Sequence, residues 1–469
     1  MTMIHELSAE ALADAIRAGE LTVLEVTEHT LRRAEELGPE IGAFVTLSAD
    51  RALDQARKLD ARLSVGPARS PLFGVPCPIK DLNAVAQVGM ECGSAVLAGN
   101  VATYDDGVVT WLAEAGTVMV GKTNTPEFGF PCYTEPDNAP AARTPWDLTR
   151  SAGGSSGGAA AAVAAKIVPI AHASDGGGSI RIPAASCGLV GLKPSRGRIS
   201  PTPYGFPGPG LASNGVLTRT VRDTAIGLDA LAGARVGDIH AVPPAATAFR
   251  AACDAAVGRL RVGVLTQPVI AEAEVHPACL RAVAKTADSL AGLGHIVEYA
   301  PVPMRLEEWD AFAALWSVGA ATLPIPPDSE HLLRPLTRWL REQGNSYSGR
   351  AYAEALIASQ RIAQQIAVAW NPYDIILTPT LAQPPAKVGG LRDDLDPAAD
   401  FAAQTRFTPW TSVYNVSGLP AISLPLHSTR IDEVELPIGV MLGARFGAEA
   451  LLLSVSAQLE DAGLNRLGE

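Results

Sequence analysis

The chain has 469 residues, 47% hydrophobic and 18% charged, enough to bury a sizeable core in one large α/β domain or in two to three smaller ones. A formal charge of −12, with no basic run of five or more residues, argues against a nucleic-acid partner, which needs clustered Lys and Arg. Six dispersed cysteines (77, 92, 132, 187, 253 and 279) contain no C-x-x-C pair, so a zinc site or disulfide framework is disfavoured and reduced, buried thiols in a cytoplasmic protein are expected.

The first 22 residues carry acids and bases throughout an amphipathic helical pattern, without the charged start and apolar core of a signal peptide. Residues 6–63 read as two or three helices: Leu7, Leu12 and Ile16, then Val23 to Leu31, then Ala49 to Leu63, all at helical spacing. Leu72 to Ile79 reads as a strand that ends in the polar turn Lys80-Asp81. Residues 108–116 read as a helix and 117–124 as a strand running into a loop. A helix over 159–165 and a strand over 167–174 follow, delivering the chain to Asp175 and three glycines. The alanine-rich stretch 158–173 is broken by Lys166 and Pro169 and is too short to span a bilayer, so no membrane partner is expected.

Further along, 259–266, the helix Pro277 to Leu293 and 295–302 read as a βαβ unit. Strands are predicted at 373–380, 420–426 and 436–444, and a last helix from Ala448. Proline- and glycine-rich stretches at 201–215, 241–246 and 324–328 read as loops. The alternation predicts an α/β fold, a mixed but mostly parallel sheet covered by helices on both faces. We read one large domain: N-terminal helices over 1–65, a catalytic core over 66–235, a variable substrate-side layer over 236–345, and a C-terminal part over 346–469 that completes the sheet.

Chemistry concentrates in three segments: GVPCPIKDLNAV around Lys80, SAGGSSGGAAAAVAA around Ser155 and Ser156, and ASDGGGSIRIPAASCGLVGLKP around Ser179. Glycine at this density lets backbone N–H groups turn toward a ligand with no Cβ in the way. A serine at the edge of such a turn stands where a nucleophile beside an oxyanion hole would stand, with the amides of Gly176, Gly177, Gly178 and Ser179 as donors. A plain phosphate-cradling loop is the alternative, but G-x-x-x-x-G-K-[ST] is absent and G-x-G-x-x-G has no strand–turn–helix setting. GGSSG at 153–157 also fits the nucleophile elbow of Ser-His-Asp hydrolases. An elbow must follow an apolar strand, whereas PWDLTRSA precedes it. Asp374 and His427 have the right order for its partners without confirming context, and His172 reads as a core histidine. Lys80, between an apolar run and Asp81-Leu82, is placed for burial, and desolvation would leave a neutral amine able to take a proton from a serine.

Together these segments resemble the amidase signature family. GGSSGG stands at Gly153–Gly158, the SD-x-GGSIR-x-PA loop at Ser174–Ala184, and CGLVGLKP-x-x-GR at Cys187–Arg198. VGKTNTPEFGF and NVSGLPAISLP match as flanks, so the resemblance covers essentially the whole chain. It implies Ser179 as nucleophile, Ser155 after a cis peptide as the bridge to Lys80, and Ser156 as a supporting hydrogen-bonding residue. Asp175 and Arg181 would brace the loop. Gly176 departs from the threonine or aliphatic residue of many relatives, which adds freedom to the oxyanion loop.

The resemblance further implies acyl-enzyme chemistry on a small-molecule amide or carbamate, with no metal, no cofactor and a monomer or homodimer. RTPWDLTRSAGGSSGG and LKPSRGRISPTP are similar to the branch acting on nylon oligomers, a branch of broad amide, ester and carbamate substrates. The same signature occurs in the A subunit of tRNA-dependent amidotransferases, a reading that the acidic charge disfavours. Apolar cleft candidates are Phe130, Phe206, Trp316, Trp339 and Trp410, with the loop over 201–213 a candidate cover.

Overall fold

A computed structural model describes residues 3–66, 70–203 and 209–464. Phe206 and the centre of the candidate cover loop lie outside these residues. The chain opens with amphipathic helices whose ends are written in the sequence. Ser8 caps Ala9–Arg17 by accepting the Ala11 N–H, and Thr22 and Glu25 form a reciprocal capping box at the start of Val23–Ile41. Gly42, at φ 61°, ends that helix in the left-handed conformation.

Strands form two sheets. The small one holds β1 (Phe44–Leu47), β2 (Ile79–Lys80) and β3 (Gly121–Thr123) in the order β1-β3-β2. The large one holds β4 (Ile170–Asp175), β5 (Val190–Lys193), β6 (Ser213–Thr218), β7 (Arg261–Val264), β8 (Ile296–Tyr299), β9 (Ile375–Pro379), β10 (Ala421–Ile431) and β11 (Val434–Ala444), in the order β4-β6-β5-β10-β11-β9-β7-β8.

The expectation of a mostly parallel sheet is corrected here. In the large sheet only β7 pairs in parallel, with β8 and β9 on its two sides, and the remaining neighbours are antiparallel. The βαβ unit read at 259–302 does supply one of those parallel pairs, through the helix Pro277–Gly292. The antiparallel majority comes from connections that periodicity does not encode. The longest pair, β10–β11, is a hairpin whose two central residues, Asp432 and Glu433, both have positive φ (49° and 64°), as a tight turn matched to strand twist requires. The strand predicted over 72–79 survives as the two residues of β2, and that over 117–124 as β3.

Side-chain alternation along β11 sorts the two faces of the sheet. Ile438, Val440 and Leu442 enter the main core, together with the N-terminal helices and Pro277–Gly292. Gly439 and Gly443 point the other way, where an added Cβ would meet Ala185 at 2.6 Å and the Tyr414 ring at 2.2 Å. These gaps let the helices Arg181–Cys187 and Val413–Ser417 lie directly on the sheet. Ser179 stands two residues before the first of these helices, and Asn415 lies within the second.

The buried helix Gly157–Ala164 follows the serine pair and is built from glycine, alanine and one valine. A Cβ at Gly158 would stand 2.3 Å from the Asn124 backbone nitrogen and 2.4 Å from the Ala43 carbonyl oxygen. Neither backbone atom can move aside without disturbing the small sheet. Gly158→Ala is therefore expected to lower unfolding free energy by about 1–3 kcal/mol, read as a lower urea midpoint.

Candidate active site

Three chain segments deliver the candidate side chains to one place. Lys80 ends β2 and is fully buried. Its Nζ is hydrogen-bonded to Ser155 Oγ at 2.8 Å, and lies 3.2 Å from Ser174 Oγ and 3.3 Å from the Ser174 carbonyl oxygen. Burial pushes the amine down to about 7, against the opposing pull of the Asp175 carboxylate. A neutral amine has two N–H donors and one lone pair. If the two hydrogens go to the Ser174 oxygens, the lone pair faces the Ser155 hydroxyl. Ser174 thus orients the Lys80 amine, a contact that went unread in the sequence although the residue sits beside Asp175 in the glycine loop.

Ser155 follows a cis peptide from Gly154. Its carbonyl accepts the Thr125 hydroxyl at 3.0 Å, and Gly154 packs so closely on the Cys132-Tyr133 backbone that a Cβ there would stand 2.7 Å away. Ser156 works one step removed from the lysine. Its hydroxyl donates to the Ser174 carbonyl at 3.3 Å and accepts the Ser174 N–H at 3.4 Å, so it holds the residue that orients Lys80.

The loop after β4 is clamped by charge. Asp175 and Arg181 are both fully buried and paired, with Nε 2.9 Å from Oδ2 and Nη2 3.0 Å from Oδ1. Asn415 closes the clamp from the far end of the chain, donating to the Asp175 carboxylate at 2.9 Å and accepting from Arg181 Nη2 at 2.8 Å. Burial alone would raise the Asp175 carboxyl, but the Arg181 charge and hydrogen bonds, helped by Lys193 and Asn415, outweigh it and hold the group at about 2. Thr411 and Ser412 pin the loop further by donating to the Gly177 carbonyl at 2.8 and 2.9 Å.

This clamp alters the expected set of oxyanion donors. The Gly178 N–H donates to Asp175 Oδ1 at 2.7 Å and is withdrawn from the hole. The N–H groups of Gly176, Gly177 and Ser179 have no protein acceptor among the described residues. Gly178 instead shapes the turn, at φ 136°, with no room for a side chain beside Ile182 and Thr411. Ser179 stands at the loop's end on the wall of a cavity of about 500 Å³. Its hydroxyl makes no protein hydrogen bond among the described residues, so the structure joins Lys80 to Ser155 directly and leaves Ser179 free toward the cavity.

The cavity is mostly apolar. Phe130 and Trp316, two of the predicted cleft residues, line it together with Trp309, Phe312, Ile270 and Phe401, which were not predicted. The helix Asp310–Ala321 and the turn before it place Trp309, Phe312 and Trp316 on one face, where their rings stack at centroid distances of 4.9 and 5.4 Å. Phe130 meets Trp316 edge-on at 5.7 Å. Trp339 and Trp410 are corrected: Trp339 packs on Phe401 behind the wall, and Trp410 is core, its indole N–H given to the Gln267 carbonyl.

The histidine-based alternatives fall away from this cavity. The Lys80 backbone N–H donates to His172 Nδ1 at 3.3 Å, which leaves Nε2 protonated and donating to Asn214 at 3.2 Å. Burial holds this imidazole at about 3, so it is a neutral structural bridge. His427 bonds Thr286 and Asp374 bonds the Arg261 backbone, both outside the cavity lining. A second buried lysine, Lys122, contrasts with Lys80 because Asp81 pairs with it at 2.7 Å.

Fold and site together define the class, an α/β protein with a buried Lys80–Ser155 contact near an apolar pocket. A family model described as Amidase matches residues 25–453. The chain is 36% identical over 478 residues to the 6-aminohexanoate-cyclic-dimer hydrolase of Paenarthrobacter ureafaciens, covering 97% of this chain and 94% of that protein. A solved structure of 6-aminohexanoate cyclic dimer hydrolase superposes with a TM-score of 0.90 at 33% identity, covering 98% of both chains. A bacterial aryl acylamidase of the amidase signature family superposes with a TM-score of 0.88 at 26% identity, covering 98% of this chain and 97% of that one. The chain belongs to the amidase signature family and is an amide hydrolase acting on C–N bonds. Among its described residues no helix is long and apolar enough to cross a membrane.

The clamp generates a stability prediction. Arg181→Met leaves the Asp175 carboxylate buried without its partner and is expected to cost about 3–5 kcal/mol at neutral pH. Asp175 titrates lower in the fold than in the unfolded chain, so the stability it lends is complete above the ordinary carboxylate range and is lost as pH falls through about 2. The gap in denaturation midpoint between Arg181→Met and wild type is therefore expected to be widest above pH 5 and to narrow toward pH 2.

Proposed function

We propose that this enzyme hydrolyses carboxamides by covalent acyl transfer from Ser179, with Ser155 and Lys80 as a proton relay. The observation that carries the reading is the 2.8 Å contact between an amine held near pKa 7 and a serine hydroxyl, both buried. Neutral Lys80 takes the Ser155 proton as Ser155 takes that of Ser179, and the freed Ser179 oxygen bonds to the substrate carbonyl carbon. The developing oxyanion is met by the N–H groups of Gly176, Gly177 and Ser179, each donor being worth roughly 2.7–4 kcal/mol in comparable holes. Collapse breaks the C–N bond while the proton on Lys80 passes back through Ser155 to the leaving nitrogen. Water then repeats the sequence in place of Ser179, releasing the acid and restoring the serine. Every proton is accounted for within the three side chains, so neither metal nor cofactor enters the scheme.

The apolar, aromatic wall favours amides with an aryl or long aliphatic body, in keeping with the cyclic-dimer hydrolase and aryl acylamidase names of the relatives. Carbamates and esters present the same electrophilic carbonyl and are proposed as further substrates. All six cysteines are buried and unpaired, which supports action in the reducing cytoplasm.

Two measurements test the scheme. Ser179→Ala and Lys80→Met should each reduce kcat on an aryl anilide by at least about a thousandfold while remaining folded, since members of a relay act as a unit. A folded Ser179→Ala enzyme with near-normal turnover would remove the proposal. In wild type, kcat/KM should fall about tenfold per pH unit below about 7, as Lys80 becomes protonated, and level off above it. A profile flat from pH 6 to 10 would rule out a lysine base.

A further inference from the structure

The turn that carries Ser155 is seated against a second stretch of chain, residues 132–134. The Cys132-Tyr133 backbone packs on Gly154, so that a Cβ on Gly154 would stand 2.7 Å from Tyr133 N and C. Thr134, the next residue, brackets the turn: its hydroxyl donates to the Gly153 carbonyl at 2.9 Å and accepts the Gly157 N–H at 3.1 Å. A shift of this stretch therefore carries the turn with it, and Ser155 Oγ is the atom that meets Lys80 at 2.8 Å.

Residues 132–134 are themselves held from near the other end of the chain. Gln404, on the helix Pro397–Phe407, accepts the Cys132 N–H at 2.7 Å and donates to Asp400 Oδ1 at 2.6 Å. Tyr133 donates its hydroxyl to Asp400 Oδ2 at 2.5 Å, where the Asp393 N–H adds a bond at 3.2 Å. Asp400 and Gln404, one helical turn apart, thus grip two successive residues. Tyr133, Asp400 and Gln404 are all buried. The three donors on the carboxylate are neutral, so it depends on their geometry, and the loss of one loosens the rest.

We propose that Gln404 and Tyr133 are positioning residues for Ser155, holding residues 132–134 through Asp400 so that the Ser155 hydroxyl stays between Lys80 and Ser179. The inference rests on the relay proposed above. Gln404 lines the catalytic cavity, as does Phe401 on the same helix, whereas Tyr133 is not part of the lining. Both polar atoms of Gln404 are engaged with the protein, so its part is to hold backbone and not to bind substrate. The helix faces the cavity and anchors the serine turn at once, which ties the pocket wall to the proton path.

Tyr133→Phe removes one hydroxyl and no cavity-lining group, and Gln404→Leu removes both amide bonds at similar volume. Each should lower kcat on an aryl anilide about tenfold or more, with KM within about twofold of wild type. The double variant should be little worse than the worse single one, because both act on the same stretch. Capture of Ser179 by diisopropyl fluorophosphate, in which Oγ bonds to phosphorus and fluoride leaves, should slow by a similar factor, since it uses the relay without the amide substrate. Should Tyr133→Phe not fold, Gln404→Leu carries the same comparison. A lower urea midpoint with kcat and capture rate unchanged would reduce the network to scaffolding, and a rise in KM alone would make Gln404 a substrate contact; either overturns the proposal. Capture of the wild-type enzyme at a residue other than Ser179 would instead remove the relay, and this inference with it.

Discussion

The withdrawal of one amine from water governs the arrangement of this enzyme. Lys80 has no carboxylate in contact; its partners are the hydroxyls of Ser155 and Ser174 and the Ser174 carbonyl. Lys122, on the adjacent strand, is just as buried but meets Asp81. The two share the same burial and differ in the compensating anion, present at Lys122 and absent at Lys80. Around Lys80 the chain supplies only dipoles, which orient an amine without fixing its charge.

The negative charge nearest this amine is itself committed. Asp175 spends its two oxygens on Arg181, Asn415 and the amides of Gly178 and Ile180. One carboxylate thus braces the loop, takes up the Gly178 amide, and pulls on Lys80 without touching it. Asn415 comes from the last part of the chain, 240 residues beyond Asp175, so the catalytic loop takes its shape only when the C-terminal strands are in place.

Much of this was legible in the sequence because small residues and paired charges leave local signatures. GGSSGG and DGGGS announced backbone that packs without side chains, and Lys80 after an apolar run announced a buried amine. What was not legible depended on contacts between distant segments. Asn415 lay in a flank quoted only for its resemblance, and nothing local tells that its amide bridges Asp175 and Arg181. Gly178 read as an oxyanion donor because the Asp175 side chain folding back on it is a tertiary event. The aromatic wall was half found: Trp309 and Phe312 share helical spacing with Trp316, a stripe that marks core as readily as pocket. Strand direction was misread because the β10–β11 hairpin depends on a two-residue turn, Asp432-Glu433, without the glycine or asparagine that usually signals one.

His172 carries a consequence of its own. Its backbone N–H donates to the Pro78 carbonyl and its ring accepts the Lys80 N–H, so this residue of β4, together with Ser174, ties the small sheet to the large one. The proposed base ends a strand of the small sheet and the proposed nucleophile follows a strand of the large one, so their alignment depends on that seam. A slip along it by the length of one hydrogen bond, about 3 Å, would part Lys80 from Ser174, which orients its amine. For the proposed relay the seam would be a clutch, which transmits only while the two sheets are engaged.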